Sequence, residues 1–256
     1  MRALNLLLLS LLLAPSAFAG AVLKIDRKDS AGKTTPHEVY YAQDGMLRID
    51  SVDEHGTVKD IDVVRDGVIW RIDPVGRTYT RIDQDTFKQA MGGRAGQLDA
   101  MLANLPPEKR AALQARMAQM QQHAGANQFT FSDTGKSERA GQYPCKVWSE
   151  QRNGKPHGEY CVVSTSDLPA GAELADAMKK AYTTASQVLS GMPVAAPQAE
   201  RLTRMEKMNG FPARWHFTNE SNENILSSAE SQKLAADKFA IPKGYTEKPL
   251  GSHGED

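Results

Sequence analysis

The sequence predicts an α+β fold: a curved antiparallel β-sheet, a half-barrel, with helices packed on its concave face. Three observations predict it. Residues 21–83 carry strand-like runs punctuated by the tight-turn dipeptides Asp44-Gly45 and Asp66-Gly67 and by the turn Pro74-Val75-Gly76. Helical patterning then interrupts the strands at about 84–124 and again at about 167–192. Between these insertions, Cys145 and Cys161 flank an Asn153-Gly154 turn and read as a disulfide-closed hairpin.

The N-terminus reads as an export signal. Arg2 supplies a positive charge, Leu6–Leu13 a short apolar run, and Ala17-Phe18-Ala19 the small residues of a cleavage site, so residues 1–19 are expected to be removed. The apolar run is far below the roughly 20 residues that cross a bilayer, and no later run approaches that length, so no transmembrane segment is expected. A periplasmic location follows, and with it an oxidising compartment in which the two cysteines pair. Without the signal the chain has 30 basic and 31 acidic residues. That balance argues against a nucleic-acid partner, which needs a basic face to displace counterions.

Counting outward from each turn gives the meander a register. Tyr40 is expected opposite Ile49, Ala42 opposite Leu47, Ile61 opposite Ile72, and Val63 opposite Trp70. A three-residue loop at 74–76 would set Trp70 against Thr80 and Ile72 against Thr78. These residues are expected on one apolar face. The other face would carry Asp62 against Arg71, Asp73 against Arg77 and Tyr41 against Arg48. A triplet recurs at Lys24-Ile25-Asp26, Arg48-Ile49-Asp50, Arg71-Ile72-Asp73 and Arg81-Ile82-Asp83, read as an inward Ile flanked by outward charges.

The remaining elements follow in order. Leu98, Met101, Leu102 and Leu105 mark a helix stopped by Pro106-Pro107, and Leu113, Met117 and Met120 mark a second one ended at Gly125. Strands resume at 128–132. A three-residue loop, Arg152-Asn153-Gly154, would place Cys145 directly opposite Cys161, a closure worth roughly 3 kcal/mol. A helix is expected over 171–191, a linker at Pro193–Pro197, a hairpin about Asn209-Gly210 with 202–208 as its first strand, and a last strand over 225–233. Residues 20–248 are expected to form one domain, with 249–256 a disordered tail.

No catalytic machinery is legible. The sequence lacks a nucleophile elbow, a phosphate-binding glycine loop and a dinucleotide fingerprint. Its six histidines have no zinc spacing, and Met117, Met120 and His123 drift around their helix rather than converging as soft-metal ligands. Neither a metal nor another cofactor is expected. Nine methionines follow the signal, most of them on helices or beside turns. Flexible thioethers suit either core filling or a surface that adapts to apolar partners.

Asp44-Gly45-Met46-Leu47-Arg48, Asp66–Asp73, Phe239-x-Ile241-Pro242-x-Gly244-Tyr245, Tyr143-x-Cys145 and Cys161 together resemble the LolA/LolB lipoprotein-carrier superfamily, in a branch built of domains of unknown function. The resemblance implies a half-barrel that shelters acyl chains beneath helices. The chain departs from it in length, in its larger helical insertion and in the register of Arg48, which falls on the charged face. The expectation is a non-enzymatic protein that shelters a lipid or a lipidated protein. Trp70, Ile72, Met101, Leu113, Met117, Met120 and Met178 are the candidate lining. The alternative is a structural protein with a self-filled interior and an envelope protein as partner.

Overall fold

The computed structural model describes residues 19–125, 128–190 and 195–251; the expected signal, apart from Ala19, and residues 252–256 of the expected 249–256 tail lie outside the described residues. Among the described residues, twelve strands form one open, mostly antiparallel sheet. They are β1 (Gly20–Lys28), β2 (Thr34–Gln43), β3 (Met46–Val52), β4 (Val58–Arg65), β5 (Val68–Asp73), β6 (Thr78–Ile82), β7 (Phe129–Ala140), β8 (Tyr143–Arg152), β9 (Lys155–Val163), β10 (Phe211–Phe217), β11 (Glu223–Gln232) and β12 (Thr246–Glu247). The spatial order is β12-β6-β5-β4-β3-β2-β1-β11-β10-β9-β8-β7. The helices are α1 (Gln84–Ala103), α2 (Pro107–Gly125), α3 (Gly171–Ser190) and α4 (Ala196–Glu206). β1 joins the two halves, pairing with β2 on one side and with β11 on the other. α1 leaves β6 near one edge of the sheet, touching β6 and α3; α2 touches α4 and hands the chain to β7 at the opposite edge.

The first two hairpins have the expected register: Tyr40↔Ile49, Ala42↔Leu47, Ile61↔Ile72 and Val63↔Trp70. Tyr41↔Arg48 and Asp62↔Arg71 are also as expected, the latter an exposed ion pair at 3.0 Å. The single apolar face, however, is replaced by two. Across β3 and β4 the pairs are Leu47↔Val64, Arg48↔Val63 and Asp50↔Ile61, so Ile49 and Ile61 point to opposite sides. Leu23, Ile25, Ala42 and Leu47 pack with Leu174 and Ala177 of α3. Val22, Ile61, Val63 and Ile72 pack with Leu234 and Phe239, and Trp70, Tyr79, Ile241 and Tyr245 gather around them. A sheet covered on both faces reads as a run of apolar residues rather than as an alternation, as the buried Ala21-Val22-Leu23 shows. The recurrent triplet shares this split: Ile25, Ile49 and Ile82 face the α3 side, whereas Ile72 faces the C-terminal segment.

Two other expected registers are corrected. Asp73 pairs with Thr78, Ile72 with Tyr79 and Trp70 with Arg81, so the turn holds four residues and Arg77 lies within it. The cause is the Asp73 carboxylate, which accepts from the backbone N–H of Val75 and Gly76 at 2.9 and 2.8 Å and draws Arg77 into a positive φ of 50°. In the cysteine hairpin, Arg152 pairs with Lys155 across a two-residue Asn153-Gly154 turn, with both turn residues at positive φ. A bulge beside Gln151 then sets Val147, not Cys145, against Cys161. The disulfide forms nonetheless, as a diagonal link with Cα atoms 5.3 Å apart.

The segment expected as the first strand of an Asn209-Gly210 hairpin is helix α4. Pro197 in its first turn and the Glu200–Arg204 pair one turn apart favour helix, and Asn209 at φ 49° turns the chain out of it. Gly210 then passes so close to β9 that a Cβ would lie 2.5 Å from the Val163 carbonyl oxygen.

On the face away from α3, the C-terminal segment is held by charge as well as by apolar contact. Asp50, 2% exposed, accepts from Arg48, whose Nη1 also donates to the Lys238 carbonyl at 2.9 Å. Lys238 Nζ lies 3.7 Å from Asp50 and 3.7 Å from the centre of the Tyr41 ring. Because both faces are core, Leu23→Ala and Ile72→Ala each lower stability by about 2–5 kcal/mol in chemical denaturation. A near-neutral result for either variant would mean that only one face is a core.

Candidate functional site

The two apolar layers pack against the middle of the β1–β6 half, and a groove stays open at its 44–45 and 66–67 turns. Space remains on the α3 side where α3, α4 and the start of β10 converge. Leu174, Ala177, Thr184 and Val188 recur at helical spacing and seat α3 on the sheet, leaving Met178 and Tyr182 on its flank. α4 runs beside it and contributes Arg201 and Met205. These four side chains, with Tyr40, Tyr160, Phe211, Pro212, Trp215 and Phe217, line a cavity of about 200 Å³. A second chamber of about 320 Å³ shares Met178, Tyr182, Met205 and Phe211 and opens past Lys179, Asp176, Glu206 and Asn209. The two form one cleft with an aromatic and thioether interior and a charged rim. Together they reach the size of an ordinary small-molecule pocket. Larger grooves lie beside Cys145 and between the 44–45 and 66–67 turns, with Lys146, Asp167 and Lys207 in the lining of the first and Asp44, Arg65 and Lys180 in that of the second.

The cleft floor is set by a buried ion pair. Glu150 of β8 is fully inaccessible to solvent. Its carboxylate accepts from Arg201 Nε, from Arg201 Nη2 at 3.1 Å and from the Tyr160 hydroxyl at 2.6 Å; Nη2 also donates to Tyr160 at 2.8 Å. The guanidinium carbon lies 5.6 Å from the centre of the Phe129 ring and 5.9 Å from that of Phe217. Burial works against the Arg201 charge, but the hydrogen bonds to Glu150 and Tyr160 more than offset it, and its affinity for the proton is raised. Burial also pushes the Tyr160 phenol up, with Arg201 opposing. The Tyr182 phenol is pushed to about 12 by burial, again opposed by Arg201.

The sequence-derived lining is not brought together. Met178 alone lines the cleft. Trp70 and the fully buried Ile72 lie on the opposite face, beneath the C-terminal segment. Met101 is 51% exposed on α1, Leu113 and Met117 are half-buried on α2, and the Met120 side chain lies outside the described residues. The residues that shape the site but were not marked are Glu150, Tyr160, Arg201 and Met205. Pro197 and the Glu200–Arg204 spacing carry the signal for α4; nothing local marks Glu150 as its partner. Among the described residues, no group of three or more acidic, histidine or cysteine side chains could hold a metal, and no helix is long and apolar enough to cross a membrane.

No family model matches this chain, and no curated protein does. Two solved structures align with it at a TM-score of 0.44. An uncharacterized conserved protein from Thermus thermophilus is 8% identical, over 91% of each chain. PNGF-II is 9% identical over 91% of this chain and 31% of its own. At that level of similarity neither carries a functional argument.

Two outcomes test the site geometry. Arg201→Ala strands a charged Glu150 in the interior and lowers stability by about 3–5 kcal/mol in denaturant unfolding; a loss under about 1 kcal/mol would place the pair in solvent. The raised Tyr182 phenol favours the fold while neutral, so its contribution is complete below pH 10 and is lost as the pH rises toward 12. An ultraviolet difference titration of wild type against Tyr182→Phe should show one phenol titrating near pH 12. A midpoint at the ordinary phenol value would show that ring to be solvated.

Proposed function

We propose that this chain is a non-enzymatic, exported protein of the periplasm that shelters an apolar ligand, a lipid or an acylated chain, in the cleft between α3 and α4. The observation that supports this most is the lining of that cleft. Aromatic rings and two methionines surround space that the protein's own side chains leave open, beside a half of the sheet whose two faces carry apolar cores. Methionine and aromatic walls bind apolar groups without demanding one shape. The charged rim of Lys179, Asp176 and Glu206 would keep the opening wet while the interior stays dry. The resemblance to the lipoprotein-carrier superfamily points the same way, with the curvature of the sheet as the expected shelter. The disulfide fits an oxidising compartment.

The alternative is a structural or interaction protein of the cell envelope with no exchangeable ligand. The apolar cores of the β1–β6 half favour it, since Trp70 and Ile72 are committed to the C-terminal segment. The two readings part on exchange. The sheltering reading expects a fluorescent long-chain probe to bind the purified protein. Met178→Asp should weaken that binding at least about tenfold by placing an unpaired charge among apolar walls, whereas Met101→Ala should leave it unchanged. Absence of probe binding, together with a bare apo mass by native mass spectrometry, would favour the self-filled alternative.

A further inference from the structure

Inside the cleft, α3 and α4 each carry a hydrogen-bond donor with no partner among the described residues. Arg201 uses Nε and Nη2 on Glu150 and Tyr160, while its Nη1 has no hydrogen bond among the described residues. The Tyr182 hydroxyl likewise has none among them. Both line the same cavity, and neither is sealed from solvent without a partner, a state found only for the Ser228 hydroxyl among the described residues. All other residues around that cavity are aromatic rings, methionines or a proline; of these, Tyr160 and Tyr40 already direct their hydroxyls to Glu150 and Glu38, while the Trp215 indole N–H has no hydrogen bond among the described residues.

Two donors lining one apolar pocket select an acceptor oxygen, because a ligand without one would leave both desolvated and unpaired. Charge decides which oxygen. The Arg201 cation is already balanced by the buried Glu150 carboxylate, so a second carboxylate at Nη1 would leave a net negative charge in a water-poor site. A neutral oxygen leaves the site neutral. Resting on the sheltering role proposed above, we infer that the cleft reads the carbonyl of an acyl ester or amide through Arg201 Nη1 and the Tyr182 hydroxyl, with the attached hydrocarbon lying against Met178, Met205, Phe211 and Trp215. The ligand class is thereby narrowed from any apolar molecule to a neutral acyl derivative.

The experiment compares methyl dodecanoate, ionised dodecanoate and tridecane at neutral pH, binding each to the disulfide-intact protein by titration calorimetry. The ester should bind about tenfold to a hundredfold tighter than tridecane, reflecting hydrogen bonds to a charged and a neutral donor, and tighter than dodecanoate. Tyr182→Phe removes an unbonded hydroxyl and leaves packing intact. It should weaken ester binding about threefold to tenfold and leave tridecane unaffected. Equal affinities for ester and tridecane, or a Tyr182→Phe variant that weakens both alike, would overturn the carbonyl assignment while the cleft remained an apolar binder. Tightest binding of dodecanoate would overturn the neutral-ligand assignment. Failure of all three to bind would remove the sheltering role and the assignment together.

Discussion

The Glu150–Arg201 pair is the interaction on which the site depends. A carboxylate with no access to water is tolerable only if its counter-charge arrives with good geometry and its remaining lone pairs are filled. Arg201 and the Tyr160 hydroxyl meet that requirement together. Because Arg201 belongs to α4, the requirement fixes where that short helix sits relative to β8 and β9. α4 in turn forms one wall of the cleft, and α3, seated by its own apolar stripe, forms the other. Such a pair adds little net stability against a well-packed apolar substitute, so its contribution here is placement of one helix.

The sheet explains why the cleft lies where it does. β1 is buried from Ala21 to Leu23 and pairs along both edges, so twelve strands behave as one surface. Over β1–β6 that surface packs above against α3 and below against the segment that Arg48, Asp50 and Lys238 anchor. Beyond β11, the chain supplies large flat rings, Tyr160, Trp215 and Phe217, and only a short helix to cover them. Rings of that size under an eleven-residue helix leave gaps that smaller aliphatic side chains would have closed.

Much of the architecture was legible in the residues. The Asp-Gly dipeptides set the first two hairpins to the correct register because a two-residue turn has few alternatives. Pro106-Pro107 marked the end of α1 and the start of α2, and Gly125 the end of α2. The start of α1, fourteen residues before the expected leucines, is set instead by the Asp83 capping box, and Gly92, Gly93 and Gly96 lie inside that helix. What failed were connections whose geometry a local side chain decides. The Asp73 carboxylate lengthened the third turn by one residue, and a bulge beside Gln151 added a second residue of offset to the one from the shorter turn at Asn153-Gly154. The expected single apolar face failed at the longer β3–β4 connection. No dipeptide there fixes the register, and a shift of one residue sends every side chain to the other face. The candidate lining failed with it, since Trp70 and Ile72 were assigned to a ligand face that the C-terminal segment occupies. Glu150 and Arg201 lie 51 residues apart, and their pairing is a tertiary fact that no local pattern encodes.

The most direct test of the account is a methyl-resolved NMR titration of protein carrying ¹³C-methyl methionine with a long-chain acyl ester. Met178 and Met205 line the proposed site, while Met46 packs against the opposite face and Met101 is exposed on α1. The account predicts saturable shifts at Met178 and Met205, with Met46 and Met101 unmoved. Shifts confined to Met101 and Met117, or no shift at any methionine under saturating ester, would contradict it.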